Sequence, residues 1–261
     1  MKKTSIRLTL IAIVLVFFMT AIPYVRPAEL EKELKNKVEY DLNNLPFKNE
    51  KVKLIDNPID AFNVRIAMIQ SAEKSIDVSA YIFHEGPTTD LIFSDLIRAA
   101  DRGVKVRIIS DYKMGGMRKA FASSLNAHEN IEIYNYNPFR LFKPSTWQSV
   151  HHEKYLNIDQ KMVLIGGRNY GDKYFSLDEE KIKTVNDYDV LILYESDNNL
   201  STQVYQYTSR FIKYGSVEAF KSKVSVKDSK NLDHLRNLKS ESYDLSLYTD
   251  RMHNSEGLSF M

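Results

Sequence analysis

Between His152 and Asn169 the chain sets a histidine, a lysine, a carboxylate, a glycine pair and an amide within 18 residues. Lys154-Tyr155-Leu156-Asn157-Ile158 alternates like a half-buried strand, Asp159-Gln160 supplies a turn, and Met162-Val163-Leu164-Ile165 runs back apolar. A hairpin is expected. His152, Lys154, Leu156 and Ile158 share a parity, which puts His152 and Lys154 on one face, two residues apart. Gly166-Gly167 lets backbone approach whatever that pair holds, and Asn169 adds a donor. An imidazole beside an ammonium, with close backbone and an amide, suits a phosphate better than a metal. A zinc helix of the His-Glu-x-x-His type fails, because Leu156 stands where the second histidine is needed. The chain has no cysteine, so disulfides, thiolate metal sites and a cysteine nucleophile are excluded. His151 has the opposite parity and reads as structural.

The segments around the hairpin alternate in period. Ile59, Phe62, Ile66 and Ile69 fall at helical spacing, so Pro58–Lys74 is expected to be a helix opened by proline. Ser75–Phe83 reads as a strand, Thr89–Arg102 as a helix closed by Gly103, and Val104–Ser110 as a strand ending at Asp111. Met117–His128 reads as a helix, Ile131–Tyr136 as a strand and Asp187–Leu193 as another. Leu200, Val204, Tyr207 and Phe211 mark a further amphipathic helix ending at Gly215. Strands alternating with helices at this pace indicate an α/β domain on a central sheet. Asp111, after a strand, is a candidate for the functional end of that sheet, although many strands simply end in Asp. The aromatic residues in Asn135–Phe142 read equally well as core or as a substrate-facing rim.

Residues 1–25 pair a basic head (Lys2, Lys3, Arg7) with an uncharged run from Leu8 to Val25. A bilayer core takes about 20 apolar residues, with about 17 as a lower bound, so the run is sufficient for a span. Thr20-Ala21-Ile22 and Pro27-Ala28-Glu29 are poor cleavage sites, which favours an uncleaved signal anchor over a cleaved signal peptide. Basic residues stay inside, so the domain is expected outside the cytoplasm, on a single-pass membrane anchor or, if the signal is cleaved, secreted. Residues 26–51 read as a juxtamembrane linker, 52–221 as the globular domain, and 222–261 as a polar tail or linker. Formal net charge is +2, from 36 basic and 34 acidic residues, so the overall balance disfavours nucleic acid as a partner.

The spacing His152-x-Lys154, four residues, Asp159, six residues, Gly166-Gly167-x-Asn169 resembles the signature of the phospholipase D superfamily. The continuation Gly166-Gly167-Arg168-Asn169-Tyr170-Gly171-Asp172-Lys173-Tyr174-Phe175 is similar to its bacterial cardiolipin synthase branch. Ser75-Ile76-Asp77-Val78 and Ala99–Val106 extend the resemblance over roughly Asp60 to Phe220. The resemblance implies a phospholipase D-like α/β/α sandwich with a central mixed sheet, behind one N-terminal transmembrane helix. It also implies phosphodiester chemistry with neither metal nor cofactor.

His152 would attack phosphorus and become phosphohistidine, and Lys154, Gly167 and Asn169 would hold the phosphate oxygens. A carboxylate should orient the imidazole, and Asp187 matches that acidic position better than Asp189. Asp159 completes the signature among the catalytic candidates, with its place at the turn suggesting that it fixes hairpin or interface geometry.

The family builds one active site from two signatures, one histidine acting as nucleophile and the other as general acid. One His-x-Lys occurs here, so the resemblance implies either a homodimer or a missing second signature domain. The expected partners are a phospholipid substrate and the membrane. The rival readings are a nuclease of the same superfamily and a truncated or non-catalytic membrane-anchored remnant.

Overall fold

The uncharged run near the N-terminus forms one helix, α1 (Lys2–Val25). From Thr4 to Ala21 none of its side chains is buried, and the stretch is long and apolar enough to cross a membrane. The computed structural model describes residues 2–25, 32, 36, 50–113, 117–175, 184–194, 200–250 and 252–254. It divides into two units, 1–47 with 139–149, and 48–138 with 150–261. In the smaller unit a 3-10 turn, Pro144–Thr146, lies against α1. The expected 26–51 linker lies almost wholly outside the described residues.

The larger unit runs β1 (Lys51–Ile55), α2 (Pro58–Ser71), β2 (Ser75–Ala80), α3 (Pro87–Asp101), β3 (Lys105–Asp111), α4 (Lys119–Leu125) and β4 (Ile131–Tyr136). It continues with β5 (Tyr155–Ile158), β6 (Met162–Gly166), β7 (Asp189–Leu193), α5 (Leu200–Phe211), β8 (Val217–Ala219), α6 (Val226–Asn237), α7 (Ser246–Thr249) and β9 (His253–Asn254). The Asn57 side chain caps α2, accepting from the N–H groups of Ile59 and Asp60, and Pro58 follows at the first helical position.

The strands form one mixed sheet in the order β8-β4-β3-β2-β5-β6-β7-β1-β9. β2, β3 and β4 are parallel, and β5 joins β2 antiparallel, with Ser79 opposite Tyr155 and Ile76 opposite Ile158. Beyond β5 every pairing is antiparallel.

Alternation buries both faces of the central strands. Ile76, Val78, Val106, Ile108, Leu156, Ile158 and Leu164 share one core cluster with Phe62, Ile66, Ile92 and Leu96 of α2 and α3. On the opposite parity, Tyr155 and Val163 pack with Leu200, Val204 and Tyr207 of α5, and Ile109 packs with Phe211. Helices cover both faces, so the unit is an α/β/α sandwich.

Several expectations need correction. The stretch from 222 is not a free tail in its described part. Ser225 and Asp228 form a capping box that starts α6, and Leu232 and Leu235 join the core against α3 and α4. Arg98 donates to the carbonyl of Leu238, Ser240 donates to Asp95, Tyr248 is buried, and β9 pairs with β1. The pattern hid this because α6 buries only two apolar side chains beneath a polar face. The strand expected from Asp187 starts at Asp189, since Tyr188 turns its carbonyl to the N–H of Gly167 before ladder pairing begins. The helix expected over 117–128 is confined to α4.

Candidate active site

Strand direction brings the residues of the site to one edge. β2 and β3 run parallel and end at Ala80 and Asp111; β5, antiparallel to β2, begins at Tyr155 beside that end. The residues just before β5, His152 to Lys154, therefore lie at the carboxyl ends of the parallel strands, where open α/β sheets place their ligands.

His152 is exposed and Lys154 is buried to 7% exposure. The Lys154 Nζ lies 3.2 Å from His152 Nδ1 and 3.3 Å from Nε2, and donates to the His152 carbonyl at 2.7 Å. The expected pairing across one residue is thus met, although the two precede the strand proper. The Tyr81 ring is 4.9 Å from the His152 ring, and Lys154 Nζ sits 5.9 Å from the Tyr81 ring centre. A groove of about 400 Å³ opens on the pair, walled by Glu153, Tyr155, Ile165, Gly166, Val204 and Tyr207. Burial pulls the Lys154 ammonium below its ordinary pKa, and the Asp187 carboxylate opposes that pull.

The glycine pair serves a purpose other than the one expected. A Cβ on Gly167 would strike the Asp187 carboxylate, and one on Gly166 would strike Asp189 and the Tyr188 carbonyl. The close approach that these glycines permit is that of chain 187–189. Gly167 thereby lets Asp187 stand near Lys154. Among the described residues Asp187 accepts from the backbone N–H of Tyr188 and forms no hydrogen bond to His152.

Asn169 is buried. Its Oδ1 accepts from the Ile82 N–H at 3.0 Å, and its Nδ2 donates to the Tyr174 hydroxyl at 3.1 Å. One amide hydrogen remains for another acceptor.

Asp159 stands apart from this group. Its carboxylate accepts from the backbone N–H groups of Glu73, Lys74 and Ser75, at the amino end of β2 and the opposite edge of the sheet. Positive φ at Asp159 and Gln160 closes the hairpin there. Its place among the catalytic candidates is therefore corrected: it ties the hairpin to β2, as its position at the turn suggested.

Asp189, set second to Asp187, is fully buried between Arg65 and Arg168, each 3.0 Å from its Oδ2. Arg168 also donates to the carbonyls of Ile55 and Asp56. This triad locks β7 to β1 and α2.

His151 is structural, as its parity indicated. Its Nε2 is 2.7 Å from the Ser79 hydroxyl, its N–H donates to Asp111 Oδ2 at 2.8 Å, and its ring stacks on Phe211 at 4.7 Å. Burial lowers the His151 pKa. Asp111 and Ser79 thus fix the backbone from which His152 projects. Ser79 was not singled out from the sequence; its burial at the end of a strand facing a histidine carries no local signal.

The fold and this site define a class. A family model described as "Cardiolipin synthase, PLD-like domain" matches residues 65–199, and the chain belongs to that phospholipase D-like family. Among individual relatives, cardiolipin synthase C of Escherichia coli (strain K12) is 34% identical over 148 residues, 53% of this chain and 31% of that protein. An uncharacterized protein of Helicobacter pylori (strain ATCC 700392 / 26695) is 36% identical over 138 residues, 48% of this chain and 27% of its own length. The matches therefore span about a third or less of these relatives.

Two solved structures share the fold. Phosphatidylserine synthase of Haemophilus influenzae Rd KW20 superposes with a TM-score of 0.56 at 16% identity, covering 79% of this chain and 48% of its own. NucT from Helicobacter pylori gives 0.51 at 19% identity, covering 66% and 99%.

Proposed function

We propose that the chain is a membrane-anchored phosphatidyltransferase of the cardiolipin synthase type, working through a phosphohistidine at His152. The observation that carries this reading is the Lys154 ammonium held within 3.3 Å of both ring nitrogens of an exposed histidine, at the mouth of an open groove.

A neutral His152 nitrogen forms a bond to the phosphorus of a phospholipid while the bond from phosphorus to one ester oxygen breaks. Lys154 neutralises charge on the non-bridging oxygens as the transition state forms, and the remaining Asn169 hydrogen adds a donor. Asp187 keeps Lys154 charged against its burial. The departing alcohol oxygen takes a proton from a second histidine, supplied by another copy of this chain or by a second signature domain. In the second step the hydroxyl of an acceptor lipid attacks phosphorus, releases His152 and loses its proton to that same base; water competes as acceptor. The α1 anchor holds the domain at a lipid surface, outside the cytoplasm if Lys2, Lys3 and Arg7 stay inside.

The test is incubation of the full chain with labelled phosphatidylglycerol vesicles and, separately, with DNA. Wild type should produce a two-phosphate lipid and free glycerol, His152→Ala should fall to background, and DNA should stay intact. Equal lipid turnover by wild type and variant would overturn the role of His152, and cleavage of DNA in place of lipid would make the protein a nuclease.

A further inference from the structure

The segment between Asn137 and His151 takes no part in the chemistry above, yet it carries the most exposed large hydrophobic side chain among the described residues. Phe142 is 92% exposed, Leu141 61% and Phe139 55%. Such a cluster on a soluble surface has an energetic cost and marks a contact site. The segment is also built to present these side chains. Trp147 Nε1 donates to the Arg140 carbonyl at 2.8 Å, the Lys143 N–H donates to the same carbonyl, and the Trp147 ring lies 5.5 Å from Phe139. The turn Pro144–Thr146 that closes the segment lies against α1, within one unit. A segment packed on a membrane-spanning helix sits at the depth of that helix.

We propose that Phe139–Trp147 is a lipid-docking loop, with Leu141 and Phe142 entering the upper acyl region of an anionic bilayer. Trp147 sits at headgroup level, where tryptophan concentrates, and Arg140 and Lys143 meet the negative surface. In the chain, residues 148–150 join the loop to His151-His152. The choice of lipid as the occupant rests on the proposed lipid chemistry and on α1 spanning a membrane.

Trp147 is the single tryptophan of the chain, which gives the loop its own fluorophore. The full chain is reconstituted into phosphatidylcholine–phosphatidylglycerol vesicles containing lipids brominated either near the headgroup or near the methyl end. Trp147 should be quenched strongly by the first and weakly by the second, and should be shielded from aqueous acrylamide. A variant carrying Leu141→Ser and Phe142→Ser should still float with the vesicles through α1, lose that quenching, and become open to acrylamide. It should keep wild-type turnover of a monomeric short-chain phosphatidylglycerol while losing turnover of vesicle lipid several-fold.

Three results would overturn the proposal: unquenched Trp147 in wild type, quenching unchanged in the variant, or shielding that grows with the protein-to-lipid ratio, which would mean a protein covers the loop. Turnover without quenching sinks the docking loop alone. Quenching without turnover leaves the loop and sinks the transferase reading.

Discussion

Lys154 carries its charge where burial works against it, and Asp187 is the group that offsets the penalty. Charge neutralisation at phosphorus needs the ammonium charged, so activity should fall as pH rises through the Lys154 pKa, which burial has already brought below its ordinary 10.5. Removing the negative charge of Asp187 lowers that pKa further. Asp187→Asn should therefore move the alkaline limb of the kcat/KM profile to lower pH, leaving the acid limb nearly in place. An unmoved alkaline limb would detach Asp187 from Lys154.

His151 is the opposite case, a buried imidazole whose pKa burial lowers. Its burial among Ser79, Asp111 and Phe211 holds the backbone of its neighbour. From the sequence, parity alone separated the two histidines, because only one of them shares a face with Lys154.

At the scale of elements, the hairpin and the approach of β7 decide the geometry of the site. Period-two alternation made β2, β4 and the β5–β6 hairpin legible, since each buries one side chain set against α2 and α3 and the other against α5. The short strands β1, β8 and β9 left no such trace, being two to five residues long and partly exposed. Long-range pairing is likewise silent in sequence: nothing near Asp189 announces Arg65, 124 positions earlier.

The glycine pair separates structural from functional approach. Gly166→Ala would push on Asp189, which two arginines hold in place, and on the Tyr188 backbone. It should cost about 3 kcal/mol, the upper end of overpacking penalties, in chemical denaturation. For Gly167→Ala the nearest atoms are those of the movable Asp187 carboxylate. The substitution should cost little stability and reproduce the pH profile of Asp187→Asn. Equal destabilisation by both would contradict this division.

For the whole molecule, the C-terminal segment belongs to the domain. Leu232, Leu235 and Tyr248 enter the main core, each such apolar burial being worth roughly 1.5–3 kcal/mol, and without 238–240 Arg98 loses the Leu238 carbonyl and Ser240, and Asp95 loses Ser240. A chain ending at Lys221 should unfold at much lower denaturant or aggregate; an unchanged midpoint would return this stretch to the status of a linker. Its reading as a tail came from composition, in which frequent Lys and Ser masked two core leucines. The family and the α/β/α class were readable because the signature is contiguous. The exposure of Leu141 and Phe142 ahead of His151 was not, because it is a tertiary fact.

The central claim is the covalent step at His152. Wild-type chain mixed with phosphatidylglycerol vesicles, quenched rapidly in alkali to preserve a phosphoramidate bond, and digested for mass spectrometry should yield the His152 peptide with one phosphatidyl group added. The adduct should be absent from His152→Ala. Lipid turnover with no adduct at His152 under those conditions, or an adduct on another residue, would contradict the account.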